Sequence, residues 1–436
     1  MLKLRKIFIL TLIASLILSL GVIAPVAAAP ALEVNATAAI LVDNNSGKIL
    51  YGKNIDEQLE PASMSKMMTE YLILEHIKNG AISWDDKVSA SEYAAWMGAN
   101  GGSAVYLAVG ERHTVRELFV AVAIASANDA TVALAEYISG SESAFARLMN
   151  QKAEEMGLTG SYFVNASGYP TENQDKYPSE LPGTNLMTAR DAAILAWNLL
   201  NDYPEILEIS SQARLEFRPG QVHTNVNFML PELIFGYEGL DGLKTGHTKQ
   251  AGYCFTGTAK KNDIRLISVV FGTASLEKRA SETRKLLNYG FNNYERIQLI
   301  GANESVVGAE QVPVAKGKEK VVSAVAGEAL HLVIERGDRT SYQATAVYDE
   351  IAEAPLAKGD TIGYITYTYG HNGEPLKAVY LNDSFRELER VNLVANEQVE
   401  KAGAISLFFR SIGEGISKVY NTIAGGIKGF LKKDEE

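Results

Sequence analysis

The chain has 436 residues, 47% of them hydrophobic and 21% charged, with a net charge of −11. This is ordinary globular composition, but the length exceeds what one core usually serves and predicts two domains. The acidic balance argues against a nucleic-acid partner, whose affinity would rest on neutralising phosphates.

The first element reads as an export signal over residues 1–29. Lys3, Arg5 and Lys6 precede an apolar run from Ile7 to about Ala24, and Val26-Ala27-Ala28-Ala29 supplies the small residues a signal peptidase accepts. Pro30 moves the expected cut one residue before Ala29 or two after it. Losing those three cations takes the mature chain to about −14. The alternative is an uncleaved membrane anchor, since the apolar run is long for a signal.

A β-hairpin is predicted next: Ala39–Val42, a turn at Asp43-Asn44-Asn45-Ser46-Gly47, then Lys48–Tyr51. Helical patterning dominates from about Ser65 to Leu200, as in Thr114–Ile138, Ser143–Met156 and Thr188–Leu200, the last opening on Thr188 as an N-cap. Strands are predicted at Gly239–Thr245, Ala251–Ala259 and Ile264–Gly272, followed by a helix over Leu276–Tyr289. Strands at both ends with helices between them predict an α/β (α+β) domain over 35–292, a mainly antiparallel sheet carrying a helical insertion.

From about residue 296 to 395, short β-rich runs such as Leu330–Ile334 and Thr361–Tyr367 alternate with Gly and Asp turns, predicting a small all-β domain that serves as spacer or binding module. The last segment, residues 400–433, is amphipathic at helical period. Ile405, Phe408, Phe409, Ile412, Ile416, Val419, Ile423, Ile427 and Phe430 share one face, and Arg410, Glu414, Lys418, Asn421, Lys428 and Lys432 fall opposite. Its charges and its six glycines from Gly403 onward disfavour a spanning helix. The pattern predicts a helix lying in the interface of an anionic membrane; the alternative is a helix packed on its own protein.

Cys254 is the only cysteine, so no internal disulfide can form, and its strand-like surroundings predict a buried, inert thiol. The six histidines show no HExxH and no close pair, so neither a metal nor any other cofactor is expected.

Three short motifs carry chemistry: Ser63-Met64-Ser65-Lys66, Ser126-Ala127-Asn128 and Lys244-Thr245-Gly246. Each alone is weak; together, in this order and behind an export signal, they are specific. Residues three apart share a helix face, so the Lys66 amine can reach the Ser63 hydroxyl. Pro61-Ala62 makes a natural helix entry that puts Ser63 at the positive end of the dipole. A serine needs a base to become nucleophilic, and lysine is one only when burial or a neighbouring cation lowers its pKa; Lys244 can be that cation.

The second motif is expected in a loop between helices, after Val120–Ile124. There Ser126 can relay a proton between Lys66 and a leaving amine, and Asn128 can hold a substrate amide or, alternatively, cap the helix starting near Asp129. On an edge strand, Lys244 and Thr245 can meet the carboxylate of an extended peptide while Gly246 permits close approach. The backbone N–H groups of Ser63 and His247 are then the natural oxyanion donors.

These motifs, with the wider phrases Pro61–Thr69, Asp241–Thr248 and Thr188-Ala189-Arg190-Asp191, resemble the serine penicillin-recognising enzymes, and more narrowly the low-molecular-mass penicillin-binding proteins that act as D-alanyl-D-alanine carboxypeptidases. The resemblance covers about residues 35–290. It implies a β-lactamase/transpeptidase-like fold, Ser63 as acyl-enzyme nucleophile, Lys66 as base and Ser126 as proton relay. It also implies Asn128, Lys244 and Thr245 as substrate contacts, and Arg279 as a receiver of the terminal carboxylate. The implied reaction releases the terminal D-alanine of a peptidoglycan stem pentapeptide at the outer face of a bacterial membrane, with β-lactams as covalent inhibitors. Ser126-Ala127-Asn128 departs from the Ser-Asp-Asn of class A β-lactamases, and no Glu-x-x-x-Asn occurs near 160–180, which weighs against an efficient β-lactamase. An endopeptidase, or a slow-turnover penicillin sensor, remains the alternative.

Overall fold

A computed structural model of the chain describes residues 32–348, 351–370 and 378–408. Met1–Glu33 form a unit of their own. The expected export signal at 1–29 lies outside the described residues, as do His371 and nearly all of the expected helix at 400–433. The second unit runs over Val34–Glu436.

The expected hairpin is present as β1 (Ala38–Asp43) and β2 (Ile49–Lys53). A helical region follows: α1 (Lys66–Lys78), α2 (Glu92–Asn100), α3 (Val115–Ala125), α4 (Asn128–Ser139), α5 (Glu142–Glu155), α6 (Ala189–Asp202) and α7 (Ile206–Ser210). Two small two-stranded antiparallel sheets accompany it, β3 (Lys87–Ser89) with β4 (Arg112–Thr114), which are joined through α2, and the hairpin β5 (Arg214–Arg218) with β6 (Gln221–Thr224). The chain then returns through β7 (Leu240–Thr248), β8 (Gly252–Lys261) and β9 (Ile264–Thr273) before α8 (Leu276–Asn293). The resulting antiparallel sheet has the order β2-β1-β9-β8-β7, with the Lys244-Thr245-Gly246 strand at its edge.

Strand alternation gives the sheet two apolar faces. Ile40, Val42, Ile267 and Val269 join the main core with the helical region. Leu41 and Leu266 face α8, which comes close because Gly290 has no side chain: a Cβ there would lie 2.5 Å from Leu266 Cδ1.

Local signals set the helix starts. Thr114 and Glu117 form a reciprocal capping box on α3, and Thr188 Oγ1 accepts from the Asp191 N–H at 3.0 Å, as the sequence predicts. The helical stretch over Thr114–Ile138 is two helices, and the Ser126-Ala127-Asn128 motif falls at the break between them, as expected of a loop between helices; Ser126 sits in the left-handed region at φ 56°. Apolar periodicity alone runs on through the break because both α3 and α4 are buried over most of their length.

A second core holds residues such as Val312, Leu332, Ile334, Ile365 and Leu393. Its largest sheet is antiparallel, in the order Ala324–Ala326, Val391–Ala395, Thr361–Tyr369, Tyr342–Val347. One segment of this β-rich part is buried in the first core: Tyr380, Leu381 and Phe385 pack there. The Phe385 ring meets Trp197 edge-on at 4.8 Å and fills the space where Gly47 lacks a side chain. Arg190 is ion-paired to Asp56 at 2.6 Å and donates to the carbonyls of Tyr380 and Leu381, which gives the Thr188-Ala189-Arg190-Asp191 phrase a structural purpose.

Candidate active site

Ser63 lies in a single 3₁₀ turn, Ala62–Ser65, that feeds directly into α1. Ala62, immediately before it, is held at φ 48°. A non-glycine residue in that region costs on the order of 1 kcal/mol, as does Ser126, so two of the backbone's strained positions flank the motifs. The turn and α1 bring Lys66 Nζ to 2.9 Å from Ser63 Oγ. The same nitrogen donates to Asn128 Oδ1 at 2.6 Å and to the Ser167 carbonyl at 2.8 Å. All three oxygens are neutral.

Lys66 is fully buried and its pKa falls well below the usual lysine value, first because burial disfavours the ammonium and second because Lys244 repels it. Lys244, on the edge strand, is also buried and lowered, again by burial first. Its Nζ donates to Ser126 Oγ at 2.8 Å and to the Thr245 carbonyl at 3.3 Å. Ser126 therefore bonds to Lys244 and not to Lys66. Among the described residues, no carboxylate lies within ion-pair distance of either lysine.

Asn128 does not cap α4: Ala127 is the N-cap and makes no side-chain cap bond. The Asn128 amide spans instead from Lys66 to the Gly101 carbonyl, to which its Nδ2 donates. Both ends are thus taken up by the protein, and a substrate amide meets Asn128 only by displacing one of them. Gly246 is needed on the protein's side too, since a Cβ there would lie 2.3 Å from the Pro61 carbonyl oxygen.

Ser63, Ser103, Ser126, Thr245, His247 and Arg279 line one cavity of about 210 Å³. That is below the roughly 300 Å³ at which drug-sized pockets begin, room for the tip of a peptide. Arg279, on α8, is nearly buried, donates to the Val226 carbonyl at 3.4 Å and, among the described residues, pairs with no carboxylate. Burial lowers it to about 10, so it is still a cation at neutral pH and ready for an anion. The His247 ring stacks on Tyr253 with centroids 4.0 Å apart, and burial followed by Arg279 lowers its pKa. A second cleft of about 760 Å³ begins at the same His247 and Tyr253. Cys254 is buried, with its thiol pushed up to about 11 by burial, as expected of an inert residue.

Three supports were not read from the sequence. Asn185 Nδ2 donates to Ser65 Oγ and to the Asn165 carbonyl, tying the segment that carries Ser167 to the Ser63 turn. Gly168, at φ +71°, touches the turn so closely that a Cβ would lie 1.9 Å from the Ala62 carbonyl oxygen. Glu70 is buried on α1, one helical turn past Lys66, and burial raises its pKa.

The arrangement can activate a serine with a neutral lysine and present the Arg279 cation, with Lys244 buried behind Ser126 and Thr245, to an anion in the same cavity. Comparison with known proteins agrees. A family model described as D-alanyl-D-alanine carboxypeptidase matches residues 24–275, and one described as penicillin-binding protein 5, C-terminal domain, matches 294–401. D-alanyl-D-alanine carboxypeptidase DacF of Bacillus subtilis is 36% identical over 383 residues, covering 87% of this chain and 90% of the relative. Among solved structures, a peptidoglycan synthesis regulatory factor (PBP3) from Streptococcus pneumoniae superposes with a TM-score of 0.74 at 32% identity, covering 84% of this chain and 100% of that one. Penicillin binding protein 5 from Haemophilus influenzae gives 0.69 at 30%, covering 86% and 100%. Motif geometry, fold and sequence likeness over most of the length converge, and the chain belongs to the D-alanyl-D-alanine carboxypeptidase family of serine peptidases.

Proposed function

We propose that this member of the family removes the terminal D-alanine from peptidoglycan stem pentapeptides by acyl transfer through Ser63. The observation that carries the reading is the 2.9 Å contact between Ser63 Oγ and the amine of a fully buried Lys66. Held neutral by burial and by Lys244, Lys66 takes the Oγ proton as Oγ attacks the penultimate carbonyl. Ser63 and His247 backbone N–H groups receive the oxyanion. The C–N bond then breaks as Ser126, whose Oγ accepts from Lys244 and so keeps its own hydrogen free to donate, gives that proton to the departing D-alanine amine. Ser126 takes in its place the proton Lys66 removed from Ser63, which returns Lys66 to its neutral form. Arg279, Thr245 and Lys244 receive the terminal carboxylate, and water hydrolyses the ester. The rest of the stem has room in the cleft beyond His247.

Among the described residues lining the catalytic cavity there is no Asp or Glu. No carboxylate base stands over the ester, which supports β-lactams as long-lived covalent inhibitors rather than substrates. The purified protein should release D-alanine from diacetyl-Lys-D-Ala-D-Ala, and benzylpenicillin should block that release while adding its mass to the peptide bearing Ser63. Labelling without release would replace the carboxypeptidase by an endopeptidase or a sensor, and loss of both would overturn the site itself.

The same proposal assigns residues 1–29 to an export signal, 35–292 to the peptidase domain, 296–395 to a β domain that lifts the site towards the wall, and 400–433 to a membrane-surface helix. The periodicity of that tail and the exposure of Ile405 and Phe408 support the last assignment. No helix of the described residues is long and apolar enough to cross a membrane. Deleting 400–436 should move the protein from vesicles of anionic lipid to the supernatant with unchanged activity on soluble peptide. Continued membrane binding after that deletion and signal removal would sink the assignment.

A further inference from the structure

Two buried lysines with only neutral oxygens around them raise a question of charge. Lys66 and Lys244 are 0% and 1% exposed, and their hydrogen bonds go to hydroxyl, amide and carbonyl oxygens alone. A cation in such a place is costly unless an opposite charge lies within reach. Glu70 is 2% exposed, and its Oε1 has no hydrogen-bond partner. It follows Lys66 at i+4, on the same face of α1, and α1 packs against the strand that bears Lys244. A buried carboxylate with one oxygen unpartnered is costly, as an enclosed ammonium is, and opposite charges within reach offset each other.

The other charges are otherwise engaged. Asp129 of α4 faces Lys66 but accepts from the backbone N–H groups of Val105, Leu107 and Ala130. Glu142 of α5 also faces Lys66 but accepts from Tyr93 and from the Ala166 N–H. On the other side Lys244 faces a further cation, Arg279 of α8. Glu70 is the carboxylate whose field reaches both lysines.

We propose that Glu70 is a positioning residue for the proton of this site: its buried carboxylate keeps Lys244 charged for the substrate's carboxylate while Lys66 serves neutral. The inference rests on the serine–lysine reading above and adds to it a group outside the three motifs. Its signature is a direction in pH. A nearby negative charge raises a lysine's pKa, so removing it lets Lys244 lose its proton at lower pH. Glu70→Gln should therefore move the alkaline limb of kcat/KM for D-alanine release to lower pH by about one unit. The acid limb, where Lys66 must be neutral, should not move upward. Glu70→Asp, which keeps the charge, should hold the limb closer to the parent's position. Glu70→Ser, smaller and neutral, should reproduce the Gln shift and serves if the Gln variant does not fold.

Thermal melts of each variant separate packing from charge, since a packing role lowers the melting temperature without moving the limb. An alkaline limb unmoved in the neutral variants, beside an active parent, overturns the role of Glu70 and leaves the site intact. A parent that neither releases D-alanine nor is labelled by penicillin overturns the site, and this inference with it.

Discussion

Replacing Ser63 with Ala is expected to lower kcat for D-alanine release by about 10⁴-fold or more and to abolish covalent labelling by penicillin. The magnitude follows from what is removed and what stays. Without Oγ no acyl-enzyme can form, and the remaining oxyanion donors and carboxylate cations can only assist direct attack by water. Folding should be spared. Among the described residues the hydrogen bond of the Ser63 side chain is the one to Lys66, which keeps Asn128 Oδ1 and the Ser167 carbonyl when it is lost. The melting temperature should accordingly stay near the parent's, and the non-covalent affinity for a D-Ala-D-Ala peptide should survive. Melting, peptide binding and D-alanine release measured on one preparation make the case. Retained release from a homogeneous variant would remove Ser63 from the chemistry.

The chain reveals its chemistry more readily than the supports of that chemistry, and the reason is range. The spacing of Ser63 and Lys66 is local, so helix geometry alone predicts their meeting. The hairpin turn at Asp43–Gly47, the Thr188 cap and the edge strand around Lys244 are equally short-range signals. Glu70 is different. In the run Met67–Leu74 every residue is buried, yet a single Glu among apolar neighbours looks like a helix's solvent face until the sheet is placed against it. The available signal was its i+4 spacing from Lys66 within an otherwise apolar run.

The break at Ser126-Ala127-Asn128 was legible, since the motif reads as a loop between helices, but burial on both sides erases the one-sided periodicity by which the exact helix ends are read. The docking of Tyr380, Leu381 and Phe385 on the first core joins residues more than a hundred positions apart, beyond any local pattern. The small residues at 47, 168 and 246 read as turn or strand glycines, but each marks a place where another part of the chain fills the missing side chain's volume.

Gly168 gives this last point its sharpest consequence. Its φ of +71° already disfavours any side chain, and a Cβ would lie 1.9 Å from the Ala62 carbonyl oxygen, 2.4 Å from the carbonyl carbon and 2.9 Å from Ser65 Oγ. None of these is the tip of a flexible chain that can swing away; two belong to the peptide unit that leads into Ser63. Gly168→Ala must therefore push the 3₁₀ turn one way or the 165–168 segment the other. The first displaces Ser63, and the second withdraws the neighbouring Ser167 carbonyl, one of three oxygens that aim Lys66. Either movement is of the order of 1 Å, which in a reacting pair can cost about 10²-fold. Gly168→Ala should thus lower both D-alanine release and the rate of penicillin acylation by about that factor, because the two reactions share the Ser63–Lys66 step. Peptide binding at Arg279, across the cavity on α8, should change far less, so the loss should fall on kcat rather than KM. A folded Gly168→Ala protein that acylates at the parent's rate would show that the turn can move without disturbing the serine and lysine, and that the close packing behind them is not what sets their distance.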